Sequence, residues 1–395
     1  MDVWRDMQAQ LDRREVEDLL RRPVVLDSPV GPRVLVEGRE VLCFCSNDYL
    51  CLAADPAVRA AARDAIDAWG VGSGASRLIS GTMQPHVELE AKLASFKGTA
   101  AAVVTSTGWA ANHVAVRALA GDGDLILCDK LNHASIFDAA SGGSPGRAGP
   151  TLRTYPHRDT ARLEALLRKH RAEHRRCLIV TDSLFSMDGD LAPLDDLSAL
   201  KRRYDAQLLI DEAHATGVLG EQGRGAAELL GVEDEIDATV GTLSKAFGAI
   251  GGFVAGPAPL IGMVRNTGRA YIYTTAPPPA TCAAAGEALK IVQTQPRRRE
   301  KLLALARRLR EGLQNMGLDT RDSASQIVPV VLGDARRAVE VSRRLLAAGY
   351  LIPAVRPPTV PPATSRLRIS LCCEHTESDV DSLLEVLKTT LNDNG

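Results

Sequence analysis

Between residues 101 and 256 the chain repeats one pattern, a short apolar run followed by a stretch with helical spacing. AAVVTS, LILCD, TLRTYP, CLIVTDS, QLLIDEAH, ATVGTLS and GGFVAG are each short enough for a buried strand. RLEALLRKHRAEH and LDDLSALKRRYD, which lie between some of them, suit helices. Strands joined through helices run parallel, and a parallel sheet is covered on both faces. The pattern therefore predicts an α/β fold with a mostly parallel central sheet and helices on both sides. It also limits where chemistry can sit, because such sheets gather ligands at the carboxyl ends of their strands.

The flanks read differently. Leu11, Val16, Leu19 and Leu20 fall at helical spacing among charges and suggest an amphipathic first helix. VLVEGREVLCF reads as a hairpin turning at Glu37-Gly38. Asp55-Pro56 is a helix start, with Asp as cap and Pro in the first turn, and that helix runs to Trp69-Gly70. A glycine-rich loop, GSGASRLISG, and a helix over HVELEAKLASF follow. Beyond the repeated pattern lies a long helical stretch from about Ala283 to Met316. The end reads as a small α+β unit: strand IVPVVLG, helix ARRAVEVSRRLLAAG, strands LIPAV and RLRISLC, and a closing helix. These shifts divide the chain into an N-terminal helix and hairpin (1–45), a large domain (46–285), and a linking helix with a small C-terminal domain (286–395).

Composition excludes more than it suggests. With 47 basic and 49 acidic residues the formal net charge is −2, against the basic excess of a nucleic-acid or membrane-surface binder. The eight cysteines form no C-x-x-C pair, so free thiols are expected rather than a zinc site or a disulfide framework. No metal site is expected. The charged N-terminus has no signal-peptide core and no run is long enough to cross a bilayer, so a cytoplasmic protein is expected. Some tempting motifs fail. DEAH at Asp211 to His214 spells a helicase box, but the chain has no Gly-Lys pair to make a phosphate-binding loop. Thr242-Leu-Ser-Lys245 loosely matches S-x-x-K, yet no K-T-G follows.

What remains is a set of capable side chains at predicted strand ends. Asp211 and His214 follow QLLI, Ser186 and Asp188 follow CLIVTDS, His133 follows LILCDKLN, and Lys245 follows ATVGTLS. Asn112 and His113 lie just past AAVVTS and the turn Thr107-Gly108-Trp109. An acid, histidines and a lysine on different strand ends converge on one crevice. Pyridoxal phosphate (PLP) needs this set: a lysine for the covalent link, an acid for the pyridinium nitrogen, a ring to stack, and hydroxyls with helix-start N–H groups for the phosphate.

The blocks around these residues carry a resemblance. NHASIFDAA, TDSLFSMDGDLAPL, IDEAHATGVLGEQGRG and TLSKAFGAIGG, with SNDYL and GSGASRLISG, resemble the signatures of the alpha-oxoamine synthases, PLP-dependent enzymes of the aspartate-aminotransferase fold type (fold type I). The likeness runs from about Arg21 to the end. It implies that Lys245 is the Schiff-base lysine, that Asp211 pairs with the ring nitrogen and that His133 stacks on the ring. It implies His214 and Ser186 at the phenolic oxygen, and Gly108, Trp109, Thr242 and Ser244 at the phosphate. Members of this fold type complete the phosphate site from a neighbouring subunit, which points to a homodimer and to Thr274 and Thr275.

Members of the family join an amino acid to an acyl thioester with loss of carbon dioxide. The run AVRPPTVPPATSRLRIS resembles the members that use L-alanine and a pimeloyl thioester, on CoA or on a carrier protein, at the start of biotin ring assembly. A free carboxylate at the far end of pimelate suits an arginine fork, and Arg356 and Arg21 are the candidates. Arg366 and Arg368 alternate on one strand and share a face. By family position Arg368, with Asn47, takes the amino-acid carboxylate, the alternative being solvent-facing arginines on an edge strand. The rival activities are a glycine acetyltransferase of the same family and a non-catalytic relative, which would be expected to lack Lys245.

Overall fold

The computed structural model describes residues 2–142 and 149–392. The chain divides into a large unit, residues 52–186 and 191–299, and a small unit, residues 1–51, 187–190 and 300–395.

The large unit is built on seven strands. Their order across the sheet is Ala101–Thr105, Gly252–Gly256, Ala238–Thr242, Gln207–Asp211, Cys177–Asp182, Leu125–Asp129 and Thr151–Tyr155. Each of the seven apolar runs forms a strand. Gly252–Gly256 runs antiparallel to both neighbours, and the other adjacent pairs are parallel. Six strands therefore share one carboxyl edge. The central strands are buried along their whole length, which is why they read as continuous apolar runs instead of alternating ones. Gly241 faces Phe253 across the antiparallel pair, and a Cβ there would lie 2.3 Å from the phenylalanine ring. The helix Gly108–Leu119 lies over the sheet on small residues, Ala110, Ala111 and Ala115, with Val114 and Val116, so its backbone comes close to the strand ends.

The long helical stretch is two helices. Pro279–Thr294 and Arg297–Asn315 are separated at Gln295-Pro296, where proline lacks an N–H and drives its predecessor out of helical geometry.

In the small unit the first helix, Val3–Val16, starts at Asp2, whose carboxylate accepts the Trp4 N–H at 3.1 Å, and buries none of its residues. It is shorter than its apolar spacing predicts. Asp18 takes a left-handed φ of 54°, and Leu19, Leu20 and Arg21 lie beyond the helix. The hairpin forms as expected, Arg33–Val36 against Arg39–Cys43, with positive φ at Glu37 and Gly38. LIPAV splits between two sheets. Tyr350–Leu351 pairs with Arg39–Cys43, whereas Ala354–Val355 pairs with Ser365–Ser370. Ser365–Ser370 is the middle strand of its sheet, flanked on the other side by Ile327–Gly333. Residues 187–190 join this unit through Gly189, whose carbonyl accepts the Ala324 N–H at 3.0 Å and the Ser325 hydroxyl at 2.9 Å. Gly189 has φ 71°, and a Cβ on it would lie 2.0 Å from the Ile327 carbonyl oxygen.

Among the described residues no helix is long and apolar enough to cross a membrane, and no group of three His, Cys, Asp or Glu side chains could hold a metal. All eight cysteines are free thiols.

Candidate active site

The carboxyl edge of the large sheet brings together most of the residues singled out above. Asp211 ends its strand and is buried. Both carboxylate oxygens are fixed: Oδ1 accepts the Ala213 N–H at 2.8 Å and Oδ2 accepts the Asn112 amide at 2.6 Å. Lys245 lies three residues past the next strand, and its Nζ is 2.9 Å from Nε2 of buried His214. His133 caps the helix Ala134–Ser141, its Nδ1 accepting the Ser135 N–H at 3.3 Å. The His133 backbone N–H donates to Asp182 Oδ2 at 2.6 Å. Burial of its ring, set against the Asp211 charge and reinforced by Lys245, holds the His133 pKa below the ordinary imidazole value. Asp182 is pushed well up by burial and by the neighbouring Asp211 carboxylate. Trp109 sets its ring edge-on to His133, with centroids 5.7 Å apart.

A second group lies at the start of the helix Gly108–Leu119. Thr107 caps it by accepting the Ala110 N–H at 3.0 Å. The N–H groups of Gly108 and Trp109 make no hydrogen bond within the described residues. Two free donors at a helix N-terminus form an anion site. Gly108 packs on Thr242, where a Cβ would come within 3.3 Å of the threonine side chain. The Thr242 hydroxyl donates to Gly251 O at 2.9 Å and accepts the Ser244 N–H at 3.1 Å, which fixes the hydroxyl-bearing turn just before Lys245. Unpaired N–H donors at a helix start beside two hydroxyls, a buried oriented carboxylate and a lysine paired with a histidine fit PLP as a set.

Ser186 is half-buried in the loop after Cys177–Asp182. Thr275 bridges to Ser76 of the glycine-rich loop, and no hydrogen bond joins Thr274 or Thr275 to Lys245, Thr242 or Gly108 among the described residues. That loop exposes Leu78 and Ile79, at 52% and 80%. His113 has a buried Nδ1 with no hydrogen-bond partner, and burial with Arg117 and Arg269 nearby lowers its pKa.

The small unit holds the arginines. Arg366 and Arg368 share a face, but they are buried on a middle strand and not exposed on an edge. Their partners differ. Arg366 pairs with Asp188 and donates to Thr364 O at 3.0 Å, whereas Arg368 donates to Asn47 Oδ1 at 3.1 Å and Ser370 Oγ at 2.7 Å. Asp188, a strand-end candidate by sequence, is thus committed to an ion pair within this unit. Arg21, outside any helix, donates to Pro357 O at 3.2 Å, and Arg356 donates to the carbonyls of Asp18 and Leu20. Burial and the adjacent Arg21 charge lower the Arg356 pKa. Sequence reasoning left Asn112 without a role and passed over Ser135 and Asp182. Four-residue spacing from Gly108 to Asn112 was the available signal, since it puts both on one helix face.

The family described as aminotransferase class I and II matches residues 39–387. The 8-amino-7-oxononanoate synthase of Geobacter sulfurreducens is 47% identical over 381 residues, 96% of each chain. The serine palmitoyltransferase of S. paucimobilis, solved with bound PLP, superposes with a TM-score of 0.92 at 32% identity, over 99% of this chain and 98% of that one. A solved 8-amino-7-oxononanoate synthase from Francisella tularensis gives a TM-score of 0.76 at 27% identity, over 89% of this chain and 98% of that one.

Proposed function

We propose that this chain, which belongs to the class I and II aminotransferase family and to its 8-amino-7-oxononanoate synthase branch, condenses L-alanine with a pimeloyl thioester. The products are 8-amino-7-oxononanoate, carbon dioxide and the free thiol, a step of biotin synthesis. PLP is the cofactor and the fold is that of fold type I. When bound, PLP supplies an electron sink for the amino acid's α-carbon. The observation that carries the reading is the Lys245–His214 contact at 2.9 Å beside an Asp211 held at both oxygens, in a chain so close to a named synthase.

The chain's own residues divide the work. Lys245 would anchor the cofactor through Nζ and, as a free amine, would take the α-proton of the amino acid and later return one. His214, whose Nε2 lies 2.9 Å from Lys245 Nζ, would hold that amine in place, and with Ser186 it would serve the phenolic oxygen. Asp211 holds positive charge at the ring nitrogen, and because its oxygens are already oriented it does so without reorganising. His133 covers the ring face. The Gly108 and Trp109 N–H groups, with Thr242 and Ser244, take the phosphate. Arg368 and Asn47 take the carboxylate of alanine, and Arg21 with Arg356 the distal carboxylate of the pimeloyl chain. Thr274 and Thr275 complete the phosphate site of a second copy in a cytoplasmic homodimer.

Thiol release from pimeloyl-CoA with L-alanine, crossed against acetyl-CoA with glycine, tests this. Release with the first pair is expected. Release with the second pair alone would transfer the chain to the glycine-using branch and overturn the reading of Arg356. Silence with both calls for a pimeloyl-carrier protein, and silence there too would overturn the enzyme reading.

A further inference from the structure

Asn112 is almost fully buried, at 1% exposure, four residues into the helix that opens at Gly108. Its amide nitrogen donates to two acceptors from different elements, Asp211 Oδ2 at 2.6 Å and Ser135 Oγ at 2.9 Å. The Asp211 carboxylate fixes which way the amide points, because the amide oxygen has no proton to give it, and the same nitrogen then donates to Ser135 Oγ. Ser135, itself fully buried, has its Oγ 2.7 Å from His133 Nδ1. Since Ser135 Oγ accepts from Asn112, its own proton is left to donate to that ring nitrogen. The Ser135 backbone N–H donates to the same atom at 3.3 Å. With two donors on Nδ1, the ring proton sits on Nε2. A continuous path of hydrogen bonds thus runs Asp211–Asn112–Ser135–His133, and each junction has one donor and one acceptor.

We propose that Asn112 is a positioning residue for the cofactor, holding the Asp211 carboxylate and the His133 ring in a fixed relation and, through Ser135, keeping His133 neutral with its proton on Nε2. This rests on the reading that Asp211 and His133 face PLP. A neutral amide suits the task because it binds two acceptors at once and does not titrate. An acid there would repel Asp211, and a basic residue would add charge beside the group meant to hold the ring nitrogen's proton. Gly108 and Asn112 lie on one face of the same helix, so the element that offers N–H groups for an anion also orients the acid. The lowered pKa of His133, from burial with Lys245 outweighing the Asp211 charge, agrees with a ring that stays neutral.

The experiment compares wild type, Asn112→Ala and Ser135→Ala as holoenzymes. The readouts are kcat per bound PLP, KM for alanine, the PLP dissociation constant and the pH titration of the bound-cofactor absorbance. In the cofactor-free proteins, 15N NMR of the His133 ring reports its tautomer. Asn112→Ala is expected to lower kcat per bound PLP by about 100-fold, as for a misplaced catalytic group, with KM within about threefold. Its absorbance titration should shift. Ser135→Ala should move the His133 nitrogen signals while leaving the PLP dissociation constant within about twofold, because Asp211 keeps its Asn112 contact. A purely structural Asn112 would lower Tm and cofactor occupancy, yet leave kcat per bound PLP and the absorbance titration at wild-type values. That result would overturn the proposal. Should Asn112→Ala fail to fold, Ser135→Ala decides: unchanged His133 signals overturn the proposal. A wild-type protein that binds no PLP would overturn the underlying site reading instead.

Discussion

The strand-end cluster of the large unit and the arginine strand of the small unit hold their charged groups differently, although the large unit has its own buried ion pairs in Arg77–Glu90 and Lys97–Glu212. In that cluster reactive side chains contact one another or neutral neighbours, Lys245 with His214 and Asp211 with Asn112. In the small unit the most buried cation, Arg366, is neutralised by Asp188, while Arg368, two residues on, reaches the neutral oxygens of Asn47 and Ser370. Burial therefore does not separate a functional group from a structural one here. The chemistry of the partner does. A carboxylate beside a guanidinium makes a structural pair, and neutral donors and acceptors around a charge hold it ready for an ion of opposite sign.

Mutations can break this contrast, and they fall in a clear order. Lys245→Ala removes the anchor and the base together, and thiol release should fall by about ten-thousand-fold, the upper range for a positioned base. Substantial residual turnover would dissolve the large unit's side of the comparison. Asp188→Ala should act on stability. It strands the buried Arg366 charge, and chemical denaturation should register a loss of about 3–5 kcal/mol. Asp381→Ala, which breaks the solvent-screened pair with Arg308, should leave stability close to wild type. Equal losses would mean that Arg366 is not a structural cation. Asp211→Asn should keep PLP bound but lower kcat by about 100- to 1,000-fold, the scale of removing one preorganised electrostatic contact. Arg368→Ala should raise KM for alanine by about 10- to 100-fold, as for loss of a charged hydrogen bond, with a smaller change in kcat. A stability loss matching that of Asp188→Ala, with KM unchanged, would place Arg368 with Arg366.

The smallest effect is one of pH. Burial opposes ionisation of Asp124, but the guanidiniums of Arg176 and Arg175 and the Gly121 N–H outweigh it and lower the pKa from 3.8 to about 2. The folded state thus binds this proton less readily than the unfolded chain. The stabilisation is complete above the unfolded value and is lost as pH falls from about 4 towards 2. Asp124→Asn should flatten the acid limb of the stability profile in that window and lower stability near neutrality, where the wild-type contribution is complete. An identical slope in wild type and variant would remove Asp124 from the acid response.

How much of this was legible in the sequence follows from the range of the forces involved. The strands and their carboxyl edge were readable because each apolar run records its own burial. Lys245, Asp211 and His133 were readable because each sits just past such a run. The break at Gln295-Pro296 was written in the sequence and was overridden by the helical spacing on either side of it. The different fates of Arg366 and Arg368 were not readable, since they depend on Asp188 and Asn47, 178 and 321 residues away in the chain. Asn112 stayed without a role for the same reason, because its two acceptors come from elements that fold over it from later in the sequence. The first helix was overextended because Leu19 and Leu20 keep the apolar period although Asp18 turns the chain out of it.

The small unit is assembled from three separate stretches of chain, the middle one only residues 187–190. No single continuous gene fragment encodes it. A fragment covering residues 300–395 would lack the hairpin that pairs with Tyr350–Leu351 and the Asp188 that neutralises Arg366. A fragment covering 52–299 would carry 187–190 as a loop stripped of its anchor at Ala324 and Ser325. Domain-swap libraries, split-protein reporters and cell-free expression of isolated halves therefore have no natural cut site here, and an exchange between homologous genes preserves both units only if all three stretches travel together.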